Sequence, residues 1–463
     1  MERKFETKGY WWLPENEDNK IAGLLYESDD GRQYLELFGR FEETSFSANI
    51  KKNNIINGFS SKGRYYTLFD TFVYNQTFNM PGFTNTTILV NIVFEDLLVN
   101  SPDEINFNSI FTTFQYLDDW ILINGLKINA ENVKKQNVTY FEPDALQYNI
   151  NNIFTLCIRF KAFPSTNAIN TREITIKQNI EIELVAKDNT LEWFLEKLQA
   201  LKYLLMLLMN NPTKYLFLKG KSSKTDKIVT IYFKQNNEIQ LKDSIGILDI
   251  LVQFDKIKDR FSDILNTWFS LYNNYKSSFI LFFESIYLLK KLNLENKFLN
   301  IIHSLESYHR KNQSYSNSYM GKEEYLSTIY KNLTKHIPTD LEEDFKEALK
   351  SKLKYGYEYS LRRRIKELFH LNNDFISGFI INSDILQKEI IETRNYLTHY
   401  DEKTNFVRDG NYLFDLCEKI KVVFIILLLF ELNFSIADIK ILIEEQELNR
   451  RLYNVSGKHY EFK

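Results

Sequence analysis

Arg394, Asn395 and His399 are the residues of this chain whose types and spacing best suit a chemical task. Histidine exchanges protons near neutral pH. Arginine is a permanent planar cation whose fork of N–H donors matches phosphate oxygens. Together they suit phosphodiester cleavage without a metal. His399 would activate a ribose 2′-hydroxyl or protonate the leaving oxygen. Arg394 would stabilise charge on a phosphorane-like transition state, and Asn395 would orient the phosphate or the imidazole. With 6 His in 463 residues, an Arg followed by His five positions later arises by chance about 0.2 times, and about 0.02 times when Asn must follow the Arg. From spacing alone a second reading stands beside the catalytic one: a solvated helix end whose cations complement the dipole.

The element that must position these residues is a helix over 384–400, with Ser383 as its N-cap candidate and Leu386, Ile390 and Leu397 on the core-facing side. Asn395 and His399 are i,i+4 neighbours on one face. Arg394 stands five residues before His399, about 140° round an ideal helix. Its side chain must curl back, or a second chain must supply part of a composite site.

Other candidates carry weaker chemistry. Glu306 and His309 lie one helical turn apart and could support the 394–399 site, or simply cap and face solvent. Arg362, Arg363, Arg364 and Lys366 form the one dense basic cluster, readable as an RNA-backbone contact or, preferably, as a solvated face. Thr398 and Tyr400 flank the motif and could touch RNA. Trp11 and Trp12 before Pro14 could stack bases, but a core role suits a β-rich region better. His303, His336, His370 and His459 lack metal-ligand spacing. Asp118-Asp119 lacks partner carboxylates for a two-metal site. Lys219-Gly220-Lys221-Ser222 lacks the earlier glycine of a phosphate loop. We therefore expect no metal and no cofactor.

A net charge of −3 means that any RNA contact is local rather than spread over a basic coat. Two cysteines, Cys157 and Cys417, exclude a disulfide framework and fit a reducing cytosol. The opening MERKFETKGYWW has no apolar signal core. The apolar run Val422–Phe430 is too short to span a bilayer, which needs about 20 residues. It predicts a buried helix instead. The expected location is the cytoplasm, with no membrane partner.

The chain changes character along its length. Strands are expected at 21–26, 34–38, 65–74, 87–93, 154–160 and 174–184, with a hairpin turn at Asp29-Asp30-Gly31. Phe111–Leu117 with Trp120 reads as a short helix or strand leading into a turn at Asp118-Asp119. Thr190 reads as the N-cap of a helix over 191–209, stopped by Pro212. Strands at 215–219 and 227–234 follow. From 247 the pattern is helical: 247–274, 277–291, 295–311, 322–334, 340–353, 359–369, 374–379, 384–400, 411–431 and 436–447. The fold class is α+β: a β-rich N-terminal domain, a sandwich or partly open barrel with a few helices, then an all-α bundle. The boundaries drawn are 1–245, a helical connector at 246–292, and 293–463.

Several segments resemble one family in matching order. Arg394-Asn395-x-x-x-His399 resembles the Arg-x4-His signature of the HEPN superfamily, with Asn at its second place. Phe298–Arg310, with Glu306, Tyr308, His309 and Arg310, resembles the opening helix of the ApeA-like HEPN branch, and Tyr359–Phe369 its middle helix. Gly9–Pro14, Gly23–Tyr26 and Leu35–Gly39 look like the start of the ApeA N-terminal domain; Leu191–Pro212 and Ile264–Phe269, with Trp268, also fit. The resemblance implies a sensor or regulatory domain over 1–245 and a ribonuclease domain over 293–463. It implies a metal-independent, homodimeric endoribonuclease acting in antiphage abortive infection, with two motifs facing each other. Its products would be a 2′,3′-cyclic phosphate and a 5′-hydroxyl. Toxin-like relatives favour RNA loops, tRNA anticodon loops among them, and a phage-derived trigger would act on the N-terminal domain. On this reading Arg394, Asn395 and His399 are catalytic, and Glu306, His309, Arg363, Thr398 and Tyr400 bind substrate or support the site. The competing reading is a non-catalytic HEPN binding or assembly module beside a ligand-recognising N-terminal domain.

Overall fold

Alternating apolar residues and glycine-permitted close approaches roll the first six strands into a closed barrel. In the computed structural model the described residues are 5–41, 52–78, 80–132, 135–164, 176–235, 241–289, 292–371, 383–400 and 402–444. The barrel strands are β1 (Glu6–Leu13), β2 (Asn16–Glu27), β3 (Gln33–Leu37), β4 (Lys52–Ser60), β5 (Tyr65–Thr77) and β6 (Asn85–Glu95). They run in the order β6-β3-β2-β1-β4-β5, and β5 returns to pair with β6. Closure removes the sheet edges that an open barrel would expose. The interior is filled by Trp11, Leu25, Leu35, Leu37, Ile56, Leu68, Ile88, Val90 and Val93. Trp11 is fully buried and lies across from Gly58. A Cβ on Gly58 would stand 2.1 Å from the Trp11 ring, so only glycine fits there. The tryptophan is thus a core residue, as its place in a β-rich region suggested. The turn at Asp29–Gly31 is as expected, with Gly31 at φ 78 and Ser28 N–H bonded to the Arg32 carbonyl at 2.8 Å.

The sheet continues beyond the barrel. β14 (Ile228–Phe233) joins β6, followed by β13 (Tyr215–Ser222), β7 (Asn106–Phe114), β12 (Ile176–Thr190), β11 (Phe154–Pro164) and β10 (Leu146–Ile150). A separate hairpin is formed by β8 (Leu126–Asn132) and β9 (Lys135–Tyr140). Ile180, Ile182 and Leu184 of β12 are buried, as their alternation requires; Ile174, at the start of the expected strand, is outside the described residues. Asp118 and Asp119 sit within a one-turn helix, Leu117–Ile121, rather than in a turn. Their carboxylates hold main-chain N–H groups of Ile180 and Ile245 at 3.1 and 3.0 Å, which fixes them structurally.

Among the described residues the helices of nine or more residues are α1 (Leu191–Met209), α2 (Phe261–Phe283), α3 (Leu294–Lys311), α4 (Glu343–Lys354), α5 (Leu361–Leu371), α6 (Ser383–His399), α7 (Gly410–Glu431) and α8 (Ile436–Glu444). The Thr190 hydroxyl caps α1 by accepting from Trp193 N–H at 3.2 Å. The helix ends at Asn210, φ 51, before Pro212. The expected helix over 247–274 is not continuous. Ile250, Leu251 and Val252 are buried as a non-helical, bent segment, and Val252 N–H bonds to the Leu208 carbonyl at 2.7 Å. Burial of that apolar run outweighs its helical periodicity. Helix α2 begins only at Phe261 and kinks at Tyr275, φ −113. The expected helix at 374–379 lies outside the described residues.

The chain divides into two compact units, Met1–Phe269 and Ser270–Lys463. In the second, α7 is the central element. The run Val422–Leu429 is buried on every side, which is why it is apolar all round. Phe282 meets Phe424 edge to face with ring centres 4.5 Å apart, and Ser278 and Ser304 exchange hydrogen bonds between α2 and α3 at 2.8 Å. No helix among the described residues is long and apolar enough to cross a membrane.

Candidate active site

Helix α6 carries the motif on its last turns. Leu386, Ile390 and Ile391 bury its inner face, while Leu397 is only half-buried as the helix leaves the core. His399 is the last helical residue and is exposed. Tyr400 follows at φ 53 in the left-handed conformation, with its N–H on the Tyr396 carbonyl at 2.6 Å and its ring 72% exposed. This C-terminal cap halts the helix and leaves the imidazole clear of the next turn. Thr398 turns its hydroxyl back to the Arg394 carbonyl at 2.8 Å, so its side chain is engaged with its own helix.

Arg394 is half-buried and poorly partnered. One Nη–H reaches Asn395 Oδ1 at 3.4 Å, and Nε is buried with no acceptor. Its neighbours in the unit are different. Arg408 grips Glu389, Arg362 pairs with Glu392 at 2.9 Å, Arg363 with Glu367 at 3.1 Å, and Arg310 with Glu306 and Glu358 at 3.1 and 3.0 Å. Arg364 is tied to His309 and Asn317. Among the described residues, Arg394 is the arginine of this unit with neither a carboxylate nor a buried network around its guanidinium. A guanidinium kept free in this way is available to a ligand oxyanion. Among the described residues no carboxylate pairs with His399 either.

Arg394 and Asn395 are therefore brought together, whereas no hydrogen bond within one chain joins Arg394 to His399 among the described residues. The remaining sequence candidates are held elsewhere. His309 is fully buried between Arg364, Glu367 and Tyr315, its ring stacked on Tyr315 at 4.8 Å. Arginine has only donors, so Arg364 Nη1, 3.1 Å away, requires His309 Nδ1 to accept; the proton sits on Nε2 and is donated to Glu367 at 3.1 Å. Burial, reinforced by the Arg364 charge and opposed by Glu367, lowers the His309 pKa below 6.5. Burial also lowers that of Arg364. Glu306 is engaged with Arg310, and Arg363 lies over the Tyr359 ring at 5.3 Å. In the basic run 362–364, Arg362 and Arg363 are thus neutralised by carboxylates and Arg364 is interior, which favours a structural face over an RNA track.

Residues 6–268 match the family described as ApeA N-terminal domain 1, and residues 299–437 match Apea-like HEPN. The chain belongs to the ApeA-like HEPN family. No curated protein and no solved structure matches it significantly. HEPN domains are usually ribonucleases that bind RNA and dimerise, and the family points to a nuclease-like role in defence.

Within this ApeA-like HEPN unit the sequence reading missed the clamp that holds the motif helix. Arg408, from the loop before α7, donates to buried Glu389 through Nε at 3.0 Å and through Nη2. Its main-chain N–H binds Thr393 Oγ1 at 3.0 Å. Glu389 and Thr393 are one turn apart on the buried side of α6. A carboxylate on the apolar face of a helix was the available signal, because such a group is retained only with a partner. The buried His309–Arg364–Asn317 network between α3, α5 and the 312–319 loop was also missed, because its members are scattered over 55 positions.

Proposed function

We propose that the chain is a metal-independent endoribonuclease that cuts cellular RNA during antiphage abortive infection, with tRNA anticodon loops as a candidate target. The observation that carries this reading is the uncompensated Arg394 guanidinium beside Asn395, on the same helix end as exposed His399. In the reaction His399 takes the proton from a ribose 2′-hydroxyl. The oxygen attacks the adjacent phosphorus, Arg394 steadies the charge on the equatorial oxygens, and the P–O5′ bond breaks as the 5′-oxygen takes a proton from a His399 imidazolium, so that no net proton is gained or lost. The products are a 2′,3′-cyclic phosphate and a 5′-hydroxyl. Asn395 orients the guanidinium. The 140° between Arg394 and His399 favours a composite site from two copies of α6 in a homodimer, each donating what the other lacks. Glu306, His309 and Arg363 serve this site by holding α3 and α5, while Thr398 and Tyr400 border it. In this scheme 1–245 senses a phage-derived trigger, 246–292 connects, 293–463 cuts, and the protein works in the cytoplasm.

The test is end-sequencing of RNA from cells expressing wild type, His399→Ala or Arg394→Ala, with purified proteins assayed in EDTA. Cleavage with cyclic-phosphate ends in wild type alone is expected. A His399→Ala protein that cuts at the wild-type rate would refute the assignment.

A further inference from the structure

The N-terminal unit has a cleft that RNA cleavage does not explain. Strand β5 occupies one edge of β6 throughout. The other edge changes hands: β3 pairs with Thr86–Val90 and β14 with Ile92–Glu95. On its far side β14 pairs with β13 only over Ile228–Thr230 and Lys219–Lys221. Beyond that point Tyr215–Leu218 stay on β7 and Ile231–Phe233 stay on β6; among the described residues no ladder joins the two arms, which meet there through the rings of Tyr215 and Phe233, with centres 6.3 Å apart. A bulge between Tyr215 and Phe217 bends β13 away at this place. The parted arms and the β2–β3 turn enclose about 290 Å³.

The cleft holds an unsatisfied polar group. Gln33 lines it, is 2% exposed, and has an Oε1 with no partner; its Nε2 makes only a 3.4 Å bond to the Gly31 carbonyl. A buried acceptor left unpaired is costly, so a ligand N–H would be favoured there. Glu27 and Lys214 contribute one charge of each sign. A nucleotide phosphate would meet a carboxylate and a single ammonium, which is poor complementarity. An extended peptide fits better. Its alternating N–H and C=O groups answer the facing main chains of two parted strands and donate to Gln33. The arm Ile231–Phe233 and a volume at the small end of ligand sites set its length at about three residues.

We infer that this cleft binds a short extended peptide segment of a partner protein, inserted between β13 and β14 and recognised through its main chain, with Gln33 accepting a peptide N–H and the Lys214 ammonium at the rim donating to a peptide carbonyl. The inference stands apart from RNA cleavage. The test incubates the full-length protein with a pool of N-acetylated, C-amidated tripeptides and ribonucleoside 5′-monophosphates, and reads retained species by mass spectrometry. Wild type should retain a subset of tripeptides at least tenfold over Gln33→Leu and over Lys214→Ala, with thermal unfolding of the variants unchanged. Lys214→Ala, at the half-buried rim, keeps the test decisive if Gln33→Leu fails to fold. Retention of no tripeptide, equal retention by wild type and Lys214→Ala, or Gln33-dependent retention of nucleotides instead, would overturn it.

Discussion

Replacing Arg394 with Met should abolish RNA cleavage while leaving the protein as stable as wild type or more so. The buried, unpartnered Nε–H of Arg394 costs about 1–3 kcal/mol, toward the low end because the side chain is only half-buried. Met removes that cost and loses a single 3.4 Å bond to Asn395, worth under about 1 kcal/mol. The net gain is zero to about 1 kcal/mol. For a unit spanning 270–463, each kcal/mol moves Tm by roughly 2–4 °C, so the shift is zero to about +4 °C. Arg408→Met is the contrast. It strands the carboxylate of Glu389, which is 4% exposed, at a cost of about 3–5 kcal/mol, or roughly 6–20 °C. Calorimetry of the full chain and an EDTA cleavage assay read both effects. Destabilisation of Arg394→Met as large as that of Arg408→Met would refute the argument, since Arg394 would then be an ordinary structural cation.

Other outcomes follow from the same contacts. Because the folded His309 pKa is lowered from 6.5, the unfolded chain binds more protons as the solution is acidified. This increment of stability is complete above pH 6.5 and is lost as pH falls through the folded value. Chemical denaturation at pH 8 and pH 5.5 should show that loss in wild type and a smaller one in His309→Gln. Gly58→Ala should disrupt the barrel, since the new Cβ meets the buried Trp11 ring at 2.1 Å. A drop of about 3 kcal/mol or more is expected, read by near-UV dichroism and urea unfolding. Thr190→Ala removes the cap of α1 and should cost about 1 kcal/mol, visible as a lower denaturation midpoint at unchanged slope.

Local chemistry was legible wherever neighbours in sequence are neighbours in space. The Thr190 cap, helix α1, the Asp29–Gly31 turn, the apolar run buried over 422–429 with Phe430 exposed at its end, and the motif helix α6 all depend on contacts within one or two turns. The family resemblance was legible for the same reason, because its motifs are short runs with fixed internal spacing. The 247–274 segment shows the limit. Its apolar periodicity reads as one helix, yet Ile250–Val252 are buried as a non-helical segment because tertiary burial outweighs local propensity. Barrel closure likewise depends on β5 finding both β4 and β6, a pairing that no local pattern encodes.

The sequence by itself determined that an arginine, an asparagine and a histidine stand at the end of one helix, with Arg394 and His399 on different faces. Only the tertiary structure decided which cations are free. Arg310, Arg362, Arg363 and Arg408 find carboxylates up to 48 positions away, Arg364 disappears into a network with His309, and among the described residues Arg394 is left with Asn395. The physical reason is that charge compensation acts over a few ångströms of space, whatever the distance along the chain.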